Sequence, residues 1–212
     1  MSLAAYIDHT NLKPTATIAD IKQLCLEAKT YGFYAVCVNG CHVFLAKEEL
    51  KNSKIKLAAV IGFPLGAMST EAKVFEARDC VEQGADEIDM VINVGWLKSK
   101  MYEAVGNEIQ AIKLAIGNKI LKVILETCYL TDEEKEMACS LSVGAGADFV
   151  KTSTGFGSGG ATFEDVTLMK RMVGDKAKIK ASGGIKDKEA ALKYLELGVS
   201  RIGTSSGPTL LK

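Results

Sequence analysis

Gln83-Gly84-Ala85-Asp86-Glu87-Ile88-Asp89-Met90-Val91 closes a helical pattern and opens a strand. The same passage returns as Ala145-Gly146-Ala147-Asp148-Phe149-Val150-Lys151 and as Leu197-Gly198-Val199-Ser200-Arg201-Ile202-Gly203. In each, glycine supplies the left-handed backbone that stops a helix, and a short apolar run follows at once. Outward from these passages, β-branched runs alternate with amphipathic stretches along the whole chain. Strands are predicted near Tyr6–Asp8, Ala35–Val38, Leu57–Ile61, Glu87–Val91, Val123–Glu126, Phe149–Lys151, Lys178–Ala181 and Arg201–Gly203. Helices are predicted near Ile18–Thr30, His42–Leu50, Thr70–Gln83, Leu97–Ile116, Asp132–Val143, Thr162–Met172 and Lys188–Leu197, with a short last one from Ser206. Eight strands share a βα unit of about 26 residues, which predicts an α/β protein of the (β/α)8 TIM barrel type. An open, doubly wound sheet is the rival architecture. No linker-like segment divides residues 1–212, so one domain is expected.

Composition removes several functional classes. Twenty-six basic and 26 acidic residues give a net charge of +0, without the basic stripe of a nucleic-acid binder. Hydrophobic residues at 48% with only three prolines describe a packed globular chain. Asp8 and Lys13 interrupt the N-terminal region before a signal-peptide core could form. The longest apolar stretch, Leu57 to Met68, is broken by Gly62, Pro64 and Gly66 and falls short of the roughly 18 residues that suggest a membrane span. Cys25, Cys37, Cys41, Cys80, Cys128 and Cys139 form no CxxC pair and mostly sit in apolar settings. They read as reduced thiols of a cytoplasmic protein. His9 and His42, the two histidines, lack ligand spacing, so no metal is expected.

In such a barrel the reactive groups stand at the carboxyl ends of the strands. Asp89 lies near the end of strand four, Lys151 ends strand six and Lys180 stands at the end of strand seven. Charges in apolar strands are costly to bury and shift their pKa or find partners. One explanation is structural, with Asp89 paired to one lysine while the other reaches solvent at the rim. The other is chemical: two neighbouring ammonium groups repel, one lysine stays neutral, and a neutral amine attacks carbonyl carbon. The resulting protonated imine is an electron sink for carbon–carbon cleavage.

Three loops carry an anion-binding composition. Thr152-Ser153-Thr154-Gly155-Phe156-Gly157-Ser158-Gly159-Gly160 follows strand six, Ser182-Gly183-Gly184 follows strand seven, and Gly203-Thr204-Ser205-Ser206-Gly207 follows strand eight. The last two occupy the usual phosphate position of this barrel, although glycine also serves tight turns. Gly155, Gly157 and Gly160 match a dinucleotide fingerprint, yet no acidic residue stands about 20 positions further on to hold a ribose.

Val150-Lys151-Thr152-Ser153-Thr154-Gly155-Phe156, with Ile179-Lys180-Ala181-Ser182-Gly183-Gly184-Ile185, resembles the deoxyribose-phosphate aldolase family. The resemblance extends through Ile7-Asp8-His9-Thr10-Asn11-Leu12-Lys13-Pro14, Ala35-Val36-Cys37-Val38, Val60-Ile61-Gly62-Phe63-Pro64-Leu65-Gly66, Glu87-Ile88-Asp89-Met90-Val91 and Lys122-Val123-Ile124-Leu125-Glu126-Thr127. It implies reversible cleavage of 2-deoxy-D-ribose 5-phosphate to D-glyceraldehyde 3-phosphate and acetaldehyde, as in deoxynucleoside catabolism, without metal or organic cofactor. It also implies that Lys151 forms the Schiff base, Lys180 perturbs it and relays protons, and Asp89 is the acid–base carboxylate acting through water. Thr154, Gly155, Gly183, Gly184, Gly203, Ser205 and Ser206 would bind the sugar phosphate. Asp8 matches a residue near the sugar hydroxyls, and alternatively a turn carboxylate. Cys37 matches a residue near the aldehyde, and alternatively a small strand residue. Glu126 reads as a buried hydrogen-bond organiser, and His9 and His42 carry no assigned role. Phe156 departs from the lysine of some relatives, and Leu210-Leu211-Lys212 lacks the longer tyrosine-ending tail of others. The resemblance further implies a homodimer. Another imine-forming sugar-phosphate aldolase or transaldolase, or a catalytically silent sugar-phosphate-binding barrel, are the competing functions.

Overall fold

The structure, a computed structural model, describes residues 2–212. Eight parallel strands close into a barrel in chain order: β1 (Ile7–Asn11), β2 (Ala35–Asn39), β3 (Lys56–Ile61), β4 (Glu87–Val91), β5 (Ile120–Ile124), β6 (Phe149–Lys151), β7 (Lys178–Ser182) and β8 (Arg201–Thr204). Helices α1 (Ile18–Tyr31), α2 (Val43–Glu49), α3 (Thr70–Glu82), α4 (Val94–Lys98), α5 (Tyr102–Ile116), α6 (Asp132–Gly144), α7 (Phe163–Val173), α8 (Lys188–Glu196) and α9 (Gly207–Leu210) alternate with them. Closure decides against the open sheet.

The recurring Gly-Ala-Asp passage has a physical job. Gly84, Gly146 and Gly198 take positive φ of 111°, 84° and 91°, turning the chain back toward the barrel. Asp86, Asp148 and Ser200 then donate their amides to Leu57, Leu121 and Ile179 of the preceding strand. The Asp86 and Asp148 carboxylates accept the amides of Leu57 and Leu121 at 3.0 and 2.8 Å. Each new strand is thereby registered before its own ladder begins.

Side chains alternate across the barrel wall. Val36, Val38, Leu57, Ala59, Ile88, Met90, Leu121, Val123, Ile179 and Ile202 pack against the helices as the main core. The intervening positions face the barrel interior. There Leu12, Cys37, Ala58 and Val60 form a small apolar cluster, and the remaining sector is ionic.

Three predicted elements differ. Strand one runs to Asn11 rather than ending at Asp8. The helix expected over Leu97–Ile116 is two helices, because Lys100 takes φ of 58° and Met101 donates its amide to Trp96 in a helix-ending turn made without glycine. Strand five ends at Ile124 rather than Glu126; Glu126 instead takes φ of 55° just beyond it. No described helix is long and apolar enough to cross a membrane.

Candidate active site

Seven ionisable side chains meet inside the barrel: Asp8 from β1, Glu87 and Asp89 from β4, Lys122 from β5, Lys151 from β6, Lys180 from β7 and Arg201 from β8. All are buried. Strand pairing sets Lys151 beside Lys180, Lys180 beside Arg201 and Asp89 beside Lys122. Lys122 lies 2.5 Å from Glu87 and 2.6 Å from Asp89. Lys180 lies 2.6 Å from Asp8 and 2.9 Å from Asp89. Arg201 lies 2.8 Å from Asp8 and 3.0 Å from Glu87, its guanidinium 3.3 Å from the centre of the Tyr34 ring.

Lys151 is the exception in this network. Its ammonium has one carboxylate contact, Asp89 Oδ2 at 2.9 Å, and that oxygen also accepts from Lys180 at 2.9 Å. Three carboxylates face four bases, so the cluster is electrically balanced when one base is neutral. Burial costs an unpaired charge several kcal/mol, roughly, and the cheapest group to discharge is the one with half a partner. Accordingly, burial pulls the Lys151 pKa below 10.5, Asp89 restores it only in part, and Lys180 adds repulsion. Burial opposes the charge on Lys180 too, but Asp8 and Asp89 outweigh it and hold that pKa up. Burial would raise Asp89, yet Lys122, Lys151 and Lys180 hold it well below 3.8. Asp8 is likewise lowered against burial by Lys180, Lys122 and Arg201.

Above this layer a cavity of about 550 Å³ opens at the carboxyl ends of the strands. Lys151, Thr154, Gly155, Gly183, Gly184, Gly203, Ser205 and Ser206 all line it. Asp89, Lys180, Asp8 and Cys37 lie buried below its floor. Neither lysine reaches solvent at the rim. Asp8 caps no turn amide; its two oxygens face Lys180 and Arg201. Cys37 sits in the small apolar cluster, and burial pushes its thiol pKa up.

The loops are tightly fitted. Ala161 donates its amide to both Ser182 and Gly183 carbonyls at 3.1 Å. Thr154 directs its amide and hydroxyl to the Glu126 carboxylate, so Glu126 organises the Lys151 loop as expected. Gly203 has a further role: a Cβ there would lie 3.0 Å from Lys180 Cε and 3.0 Å from Ser182 Cβ. Gly203→Ala is therefore expected to cost about 1–3 kcal/mol through overpacking and to displace the Lys180 amine. An alanine variant with unchanged thermal midpoint and turnover would show that Lys180 has slack.

Sequence reasoning missed five contributors. Glu87, Lys122 and Arg201 complete the ion layer. Lys13 and Lys186, both exposed and lining the cavity, have no carboxylate within 4 Å among the described residues. His9, which received no role, also lines the cavity and pairs with Glu27 at 2.7 Å. A second cavity of about 260 Å³ adjoins the first along Thr154 and Phe156, walled by Pro64, Leu65, Val91, Val94 and Tyr129.

A buried lysine with half a carboxylate partner and a lowered pKa, lining a cavity at the carboxyl ends of barrel strands, has the setting of a carbonyl-attacking amine, the chemistry of the barrel aldolases. The sequence matches the DeoC/LacD family of aldolases over residues 2–209, and the chain belongs to that family. It is 60% identical over 207 residues to the deoxyribose-phosphate aldolase of Finegoldia magna, covering 98% of this chain and 97% of the relative. The Thermococcus kodakarensis deoxyribose-phosphate aldolase is 60% identical over 215 residues, with 99% and 96% covered. Among solved structures, the tetrameric deoxyribose phosphate aldolase of Aeropyrum pernix aligns with a TM-score of 0.92 at 36% identity, covering 99% of this chain and 89% of that one.

Proposed function

We propose that this aldolase cleaves 2-deoxy-D-ribose 5-phosphate reversibly to D-glyceraldehyde 3-phosphate and acetaldehyde through an imine on Lys151. The observation that carries the reading is the pairing inequality: Lys122, Lys180 and Arg201 each face two carboxylates, whereas Lys151 shares one oxygen of Asp89. The neutral amine adds to the aldehyde carbon of the open-chain sugar, and uptake of one proton with loss of water leaves a protonated imine. Removal of the proton from the hydroxyl beta to the imine carbon breaks the carbon–carbon bond, releases the phosphorylated aldehyde and leaves an enamine. Protonation of the enamine carbon and hydrolysis return acetaldehyde and the free amine. Asp89, held ionised, takes the hydroxyl proton through a water, and its 2.9 Å contact with Lys180 forms the relay that returns it.

The phosphate is held by the amides around Gly155, Gly183 and Gly184 and by Ser205 and Ser206, with Lys13 and Lys186 supplying the positive charge that Phe156 does not. Asp8 acts on the substrate through Lys180, and Cys37 shapes the floor. Burial of Cys25, Cys37, Cys80 and Cys139 as apolar side chains supports a cytosolic setting. Exposed Phe44, Phe75 and Leu114 on the outer helices support a homodimer; a monomer mass by light scattering would remove that reading.

Incubation with acetaldehyde, borohydride reduction and peptide mass mapping test the chemistry directly. An ethyl adduct on Lys151 is expected. An adduct on Lys180 would reverse the lysine roles, and no adduct alongside tight sugar-phosphate binding would favour a silent barrel.

A further inference from the structure

A second buried ion pair lies outside the barrel, where α3 packs on α5. Lys73 Nζ and Glu108 Oε2 are 2.9 Å apart, and both side chains are fully buried. Burial pulls the Lys73 pKa down, with Glu108 and Glu76 opposing it, and burial pushes the Glu108 pKa up against Lys73. Burial thus works against both charges. An apolar pair of similar volume would join two helices at least as well.

What a methyl group cannot do is donate a hydrogen bond, and Lys73 Nζ donates to the Val91 carbonyl at 2.9 Å. Val91 ends β4, two residues beyond Asp89. The stem of the same lysine presses on the turn after β3: a Cβ on Gly62, whose φ is 59°, would lie 2.8 Å from Lys73 Cε. One turn along α3, Glu76 accepts the Gly62 amide at 2.8 Å. The turn closes through a 2.7 Å bond from the Gly66 amide to the Gly62 carbonyl. It carries Phe63, whose ring meets that of Phe156 edge-on at 5.3 Å. One side chain therefore fixes both the end of the Asp89 strand and a wall beside the Lys151 loop.

We propose that Lys73, set in place by Glu108, is a positioning residue for Asp89, tying the carboxyl end of β4 to α3 through Val91. The inference rests on the acid–base role given to Asp89 above. Releasing that tether lets the end of β4 relax and loosens the contact between Asp89 and Lys151, at little cost to substrate binding.

The test is the double variant K73M/E108L, which removes both charges at once and leaves neither unpaired. Amide hydrogen exchange over residues 87–92 is expected to quicken while the thermal midpoint holds. For cleavage of 2-deoxyribose 5-phosphate, kcat should fall about tenfold with KM changed less than about twofold. Asp89 is the attraction that raises the Lys151 pKa, with Lys180 and Cys37 the other groups facing it, so the acid limb of the rate profile should move to lower pH. The same limb should appear in borohydride trapping of acetaldehyde at Lys151. A folded double variant with parental exchange, kcat and pH limb overturns the proposal. If it does not fold, K73M/E108Q keeps the shape of Glu108 and is read by the same measurements; failure of both to fold also overturns it, because the pair would then be a requirement of the fold. A parent protein that neither cleaves the sugar nor traps acetaldehyde would sink the functional reading instead, while the exchange result would still report on the tether.

Discussion

Lys151→Met is expected to lower kcat by on the order of 10⁴-fold or more, while affinity for glycerol 3-phosphate, measured by calorimetry, changes little. The nucleophile disappears, but the loops that hold an anion are built from other residues. The variant should also keep its thermal midpoint, since Lys151 is the most weakly paired base and Asp89 keeps both Lys122 and Lys180 when that lysine leaves. Methionine approximates the volume of the lost chain. In the parent, turnover needs the unprotonated amine, so the rate should rise with pH through a limb below the ordinary lysine value of 10.5. Retention of full velocity by the variant would end the imine mechanism. Equal loss of turnover, binding and folding would mean that the fold, not the chemistry, had been tested.

Asp89→Asn should be damaging in two separate ways. As the proton-transferring carboxylate, its loss is expected to cost about 10²–10⁴-fold in kcat. It is also the sole carboxylate beside Lys151 and one of two beside both Lys122 and Lys180. Removing one side of a buried pair costs roughly 3–5 kcal/mol, which in a protein of this size lowers the thermal midpoint by about 10 °C. The pH dependence has a definite sign. Asp89 and Asp8 are held below 3.8 in the folded protein, so they bind fewer protons there than in the unfolded chain. Their stabilisation is complete above the unfolded value and is lost as pH falls through the folded values. Calorimetry from pH 6 down to 2 should show a shallower acid decline for Asp89→Asn than for the parent. A variant that melts and turns over like the parent would remove Asp89 from both roles.

The contrast between these two positions explains what could be read from the chain and what could not. Asp89, Lys151 and Lys180 stand out locally, each a charge in an apolar strand, and the rule that barrel chemistry gathers at strand ends was enough to group them. Glu87, Lys122 and Arg201 carry the same mark, and Glu87 even shares the phase of Asp89. Their importance depends on closure: Arg201 meets Asp8 only because the eighth strand returns to the first. Lys73 was invisible for a different reason. A lysine on a helix normally reads as a solvated face, and only packing shows that this one points inward. The break near Lys100 hid because no glycine announced it, and Glu126 escaped strand five because a left-handed residue other than glycine is uncommon. The repeated Gly-Ala-Asp passage was legible since its turn and its registering bonds are local to the sequence.

Beneath the cavity, Asp8 and Glu87 each bridge two bases, Asp89 bridges three, and three of the four bases bridge two carboxylates. No link in that ring can be dropped singly without stranding its neighbours. Substitution in this layer should accordingly be correlated, with Arg201 and Glu87 replaced together or retained together, so that the barrel's floor evolves as one compound character.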